Sequence, residues 1–120
     1  MSTTALTADT FPAVIQNGIT VIDFWAAWCG PCRMFAPIFE AAALRHPDIT
    51  WAKVDTEAEP ALAGALQIRS IPTLMVFRDG IMLFAQPGML PAAALDEIVG
   101  KVRALDMDEV RRKVGESKVA

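Results

Sequence analysis

Apolar residues in this chain alternate between two rhythms, short unbroken runs and helical stripes, and the alternation itself predicts an α/β fold. Residues 7–17 read as a first helix, with Thr7 or Asp9 as N-cap candidates, Phe11, Val14 and Ile15 at helical spacing, and Asn17-Gly18 as the stop. Residues 20–25 follow as a strand apolar on both faces, hence central and buried, interrupted only by Asp23. From Pro31 the pattern turns helical again. Met34, Phe35, Ile38, Phe39, Ala42 and Leu44 lie along one side, Pro31 sits in the first turn where its missing N–H costs nothing, and Pro37 is predicted to kink the middle. A strand over 49–54, a short helix over 57–66 and two strands over 73–77 and 81–86 complete the alternation. The last two strands are joined across Arg78-Asp79-Gly80, and Asp-Gly is a strong hairpin signal. Leu95, Ile98, Val99, Val102 and Leu105 then mark an amphipathic helix that can cover one face of the sheet.

Beyond Leu105 the pattern changes. Asp106 and Glu109 have capping-box spacing, Met107, Val110 and Val114 share a face, and Gly115 is placed to stop the helix, with a frayed tail after it. The organisation expected is one domain over 1–105 and a helical extension over 106–120. That extension reads either as a helix packed loosely on the domain or as a docking element.

With 53% hydrophobic and 21% charged residues among 120, the chain has enough apolar material for one core. Its net charge of -3 argues against a nucleic-acid partner, because Lys and Arg cluster only at Arg111-Arg112-Lys113, which reads as a solvated helix face. No run approaches the roughly 18 apolar residues of a membrane span, and residues 1–18 lack both a basic start and an apolar signal core. A soluble, cytoplasmic monomer with no membrane contact is expected.

The only two cysteines are Cys29 and Cys32, in Trp28-Cys29-Gly30-Pro31-Cys32, directly after the buried-strand run. Cysteines three apart cannot staple distant parts of a fold, so any disulfide between them is functional. The same spacing is also half of a zinc site. Zinc wants four nitrogen or sulfur ligands, and the chain offers only His46 besides the two thiols, so the metal reading requires a dimer sharing two cysteine pairs.

The run from Val21 to Cys32, with Pro37, Lys53, Ile71-Pro72-Thr73, Asp79-Gly80 and Gly88, resembles the thioredoxin family over residues 6 to about 105. The resemblance implies a mixed five-stranded sheet flanked by four helices, with the short C-terminal helix as an addition. It implies protein-disulfide reductase activity, disulfide-containing protein substrates and a separate thioredoxin-reductase-like electron donor, in electron transport and cell redox homeostasis. No cofactor is expected besides the Cys29–Cys32 couple, and no metal.

The chemistry asks for this placement independently. A thiol attacks a disulfide only as thiolate, and a free cysteine is mostly protonated at neutral pH. At a strand-to-helix turn Cys29 would meet unpaired amide N–H groups and the positive end of the helix dipole, with Cys32 one turn inside. Cys29 is therefore expected as the exposed nucleophile and Cys32 as the buried resolving thiol. Gly30-Pro31 resembles the pair of reducing family members, since oxidases and isomerases usually carry a histidine there.

Asp23 is open to two readings from the pattern, a buried carboxyl with raised pKa or a strand-edge residue facing solvent. The resemblance implies a proton acceptor for Cys32, with Lys53 as its charge partner, although a snorkelling surface lysine is the default for Lys53 alone. Trp28 is expected to wall the site, and Trp25 to pack beneath it. The Ile71-Pro72 match implies a cis bond facing the cysteines, where the Ile71 backbone could pair with an extended substrate. Gly88 is expected to keep the groove rim low, and Pro87 beside it to alter backbone pairing there. Two other classes stay open: a thioredoxin-fold binding or chaperone subunit with secondary redox activity, and a specialised isomerase or oxidase.

Overall fold

The computed structural model describes residues 3–119, and of 116–119 the backbone alone. Five strands, β1 (Thr4–Ala5), β2 (Ile19–Trp25), β3 (Thr50–Asp55), β4 (Thr73–Arg78) and β5 (Ile81–Pro87), form one sheet in the order β1-β3-β2-β4-β5. β1 and β2 run parallel to β3, whereas β4 is antiparallel to both β2 and β5, so the sheet is mixed. Five helices accompany it: α1 (Phe11–Ile15), α2 (Gly30–Arg45), α3 (Pro60–Ala65), α4 (Ala92–Ala104) and α5 (Met107–Val119).

Side-chain alternation along β2 splits the core into two layers. Val21 joins Trp51, Leu74 and Val76 on the face packed by Phe35, Phe39 and Ala42 of α2 and by Leu95, Val99 and Val102 of α4. Ile22 and Phe24 point the other way, with Ala52, Val54, Met75 and Phe77, toward Ile15 of α1 and Leu62 of α3. A central strand covered on both sides explains why its sequence is apolar at nearly every position.

Several boundaries differ from the sequence expectation, each for a local reason. The first helix is short, because the Thr7 and Thr10 side chains and amides bond one another (Thr7 N–H to Thr10 Oγ1, 3.0 Å; Thr10 N–H to Thr7 Oγ1, 3.3 Å) and hold residues 8–10 in a turn. Residues 57–59 likewise stay outside α3, where the Asp55 carboxylate accepts from the Glu57 amide at 2.9 Å. β1 was not anticipated, since a strand of two residues has no period to read. Its pairing of Thr4 with Ala52 and Ala5 with Lys53 supplies the fifth strand.

α2 passes through Pro37 as one continuous helix. The hairpin turns at Asp79-Gly80 as expected, with Asp79 at φ 52° and Gly80 at φ 83°, and Arg78 belongs to β4, paired with Ile81, so the loop is two residues and not three. Asp106 caps α5 by accepting from the Asp108 and Glu109 amides at 3.0 and 3.3 Å. Gly115 does not stop that helix, which runs on to Val119. Met107 is buried, while Val110 and Val114 are half-buried along the same side.

Candidate active site

β2 ends at Trp25, and four residues later Cys29 takes an extended conformation (φ -84°, ψ 112°) as the N-cap of α2. Its amide is bonded to the Ala26 carbonyl at 3.2 Å, fixing the loop. Gly30 and Pro31 begin the helix, and the Cys32 N–H donates to Cys29 Sγ at 3.2 Å. The sulfur thus fills the place that a Ser or Asp oxygen takes at other helix starts, facing amides that lack intrahelical partners. Cys29 and Cys32 form a disulfide here, with their Cα atoms 5.2 Å apart.

A groove of about 410 Å³ opens over Cys29. Trp28, 67% exposed, with Gly30 and Pro31, lines one side, and residues 68–71 line the other. The Ile71–Pro72 bond is cis, and the Ile71 carbonyl oxygen lies 3.7 Å from Cys29 Sγ. Ile71 packs against Cys29, Cys32 and Ala26, as does Trp25 from below. Pro72 itself is buried and leads into β4 without lining the groove.

One expectation requires correction. Cys29 is no more exposed than Cys32, each being 3% accessible, because the loop and Ile71 close around both. What separates them is direction: Cys29 lines the groove and Cys32 does not. Gly88 is outside the groove lining, and a Cβ built there would project into open space with nothing within 4 Å. Its requirement is conformational, a φ of +94° that aims its N–H at the Pro72 carbonyl, 2.8 Å away. Pro87 ends β5 in register with Thr73, where its ring leaves the ladder without an N–H donor.

Asp23 is fully buried on the α2/α4 face of β2, and neither of its carboxylate oxygens has a hydrogen-bond partner among the described residues. Burial pushes its pKa up to about 6, against a weaker downward pull from Lys53. Lys53 is its register partner on β3, half-buried, with Nζ 5.0 Å above the Trp25 ring. The solvent-edge reading of Asp23 is thereby excluded. His46 ends α2 at the pole opposite the cysteines, roughly 24 Å along a 16-residue helix, with its Nε2 2.8 Å from Asp96 Oδ1. It cannot complete a metal site with the two thiols of its own chain, and among the described residues no group of three His, Cys, Asp or Glu side chains converges.

Sequence reasoning overlooked Thr56, Ala63, Ile68, Arg69 and Ser70 as groove residues. The signal was present for two of them, since Arg69-Ser70 immediately precedes Ile71-Pro72 and must lie on the same wall.

A sequence model of the thioredoxin family matches residues 2–101. The chain belongs to the thioredoxin family. It is 54% identical over 116 residues to a Streptomyces coelicolor protein provisionally designated thioredoxin 2, covering 96% of this chain and 87% of that one. Thioredoxin 1 of Synechococcus elongatus is 42% identical over 100 residues, 81% of this chain and 94% of its own length. A thioredoxin of Staphylococcus saprophyticus is 37% identical over 102 residues, 84% and 98% of the two chains. The mixed five-stranded sheet is the thioredoxin fold, and the chain is a thiol–disulfide oxidoreductase whose couple is Cys29–Cys32. No described helix is long and apolar enough to cross a membrane.

Proposed function

We propose that this thioredoxin-family protein acts as a general reductant of protein disulfides, with Cys29 as nucleophile and Cys32 as resolving thiol. The observation that carries the assignment is the 3.2 Å bond from the Cys32 N–H to Cys29 Sγ at the tip of α2. Backbone donors and the helix dipole favour negative charge on that sulfur and on no other in the chain. Cys29 also faces the groove, so a disulfide laid there meets it first.

In the forward reaction the Cys29 thiolate attacks one sulfur of a substrate disulfide, forming a mixed disulfide and expelling a thiolate that takes a proton. Cys32 then attacks Cys29 Sγ, its proton passes to the Asp23 carboxylate, and the second substrate thiol leaves. Two electrons have moved to the substrate, with one proton that came from Cys32 and is handed on by Asp23 to the departing thiolate and one taken from solvent, and the protein is left as the Cys29–Cys32 disulfide. A base with pKa near 6 suits this exchange, being mostly ionised at neutral pH yet easily protonated. Lys53 tunes that affinity downward by its charge.

Trp28 and Pro31 offer apolar contact to the substrate, Gly30 leaves the approach open, and Ile71, held by Pro72 just ahead of the β4 ladder, offers backbone groups that the sheet does not use. Gly88, just past the end of β5, braces Pro72 by donating to its carbonyl. The electrons reside on the sulfur pair, so the cycle needs no bound cofactor, only a thioredoxin-reductase-like donor to restore the dithiol. Work as a cytoplasmic monomer fits a chain whose only cysteines are the redox pair.

Turbidity of insulin under a reductant tests the reading. The native protein should accelerate precipitation, and the protein with both Cys29→Ser and Cys32→Ser should not. Equal action by the two would move the function to binding, and equilibrium with glutathione near the glutathione couple itself would make the protein an isomerase or oxidase.

A further inference from the structure

The groove over Cys29 carries one charge. Among its lining residues Arg69 is ionised and none is a carboxylate, although the chain as a whole has a net charge of -3. Arg69 is exposed on the wall that leads to Ile71, and among the described residues it pairs with no acid. A second guanidinium, Arg33, is tied to the opposite wall, its Nη1 donating to the Ala27 carbonyl at 2.8 Å, one residue before Trp28. It too is exposed and lacks a carboxylate partner among the described residues. Glu57 follows the lining residue Thr56 but does not itself line the groove.

An arginine without an acid partner keeps its planar donors available to an incoming carboxylate. Two such groups flank the approach to one sulfur atom. The acids of the chain lie outside the groove lining, and those beyond a Debye length of about 10 Å are largely screened at ordinary ionic strength. The local arginines therefore decide what sign the substrate meets.

We propose that Arg69 and Arg33 make this site selective for disulfides whose cysteine is flanked by aspartate or glutamate, an acidic segment laid along the groove. This rests on the disulfide-reductase reading and adds its substrate class. The arginines hold the flanking carboxylates, while Cys29 and Cys32 carry out the exchange unchanged.

The test uses three peptide homodisulfides alike except for Asp, Ser or Lys on either side of the cysteine. Each is mixed with the pre-reduced full-length protein at low salt and in concentrated sodium chloride, and rates are divided by those for dithiothreitol to remove the peptides' own reactivity. The Asp peptide should react about tenfold faster than the Lys peptide at low salt, and the ratio should shrink at high salt. Arg69→Gln should cut that ratio about threefold, the contribution of one exposed ion pair, and Arg69→Lys should keep most of it. Adding Arg33→Gln to Arg69→Gln should bring the ratio near one. Equal rates for Asp and Lys peptides, or a ratio untouched in the double variant, overturns the selectivity while leaving the reductase reading intact. Failure to reduce even the Ser peptide overturns both.

Discussion

Asp23 and Lys53 stand directly opposite each other on β2 and β3, yet the lysine Nζ rests over the Trp25 ring and makes no ion pair with the carboxylate. The charge is close enough to lower the affinity of Asp23 for a proton, but it does not offset the burial that raises it. A carboxyl that binds protons more tightly folded than unfolded stabilises the native state at acid pH. The benefit is complete below its ordinary pKa of 3.8 and is lost as pH rises through about 6. A shift of this size corresponds to about 3 kcal/mol. Asp23→Asn should therefore be more stable than the native protein at pH 8 relative to its behaviour at pH 4. Urea midpoints across that range check it, and parallel pH profiles for the two proteins contradict it.

Lys53→Met removes the one downward influence on Asp23 and should move its titration above pH 6. Carbon NMR of the Asp23 carboxyl reads the shift directly. An unchanged midpoint would confine Lys53 to its contact with Trp25. The resolving step should follow the same titration. Asp23→Ala should slow release of the mixed disulfide about tenfold at pH 7, below the usual worth of a general base because water and substrate thiolates can also take the proton.

The groove lining predicts which cysteine is trapped. Cys32→Ser should retain substrates on Cys29 as stable mixed disulfides, since the serine beneath cannot attack, whereas Cys29→Ser should trap little through a sulfur outside the groove. Mass spectrometry of the adducts with an oxidised protein substrate decides. Stronger trapping through Cys32 reverses the roles.

Elements carried by a strong period were legible beforehand. The apolar run of β2, the stripe of α2 and the Asp79-Gly80 hairpin each follow from local physics that the rest of the fold reinforces. The start of α1 was misjudged because Thr7 and Thr10 satisfy one another, a choice invisible to periodicity. Within the site, Cys29, Cys32 and Trp28 were readable from adjacency to β2. Asp23 was not, since an acid in an apolar run is equally an edge residue until its neighbouring strands are known. Here β3 and β4 lie on both sides of it. Arg69 gave no periodic signal, and its one clue in the sequence was its place directly before Ile71-Pro72.

The catalytic unit is expected to end near Leu105, with α5 as an addition that stabilises without taking part in the chemistry. The family match stops at residue 101, whereas the Streptomyces relative aligns over 96% of the chain, leaving about five residues out and so including most of α5. The end of α4 has a support outside α5. Arg78 of β4 donates from Nη1 to the Val102 carbonyl at 2.8 Å, closing that helix from the sheet side. Removing residues 106–120 then exposes what Met107 covers, worth about 2 kcal/mol, and breaks the 3.8 Å pair between Arg111 and Asp79, worth less than about 1 kcal/mol. The shortened chain should melt about 10 °C lower and reduce insulin within about twofold of the full chain. Arg78→Ala should cost a further 1–2 kcal/mol or so in either background, because the α4 carbonyl loses a charged donor. Calorimetry and insulin reduction on the four proteins separate these effects. A shortened chain that does not fold, or one that folds but loses activity tenfold, would make α5 part of the working domain.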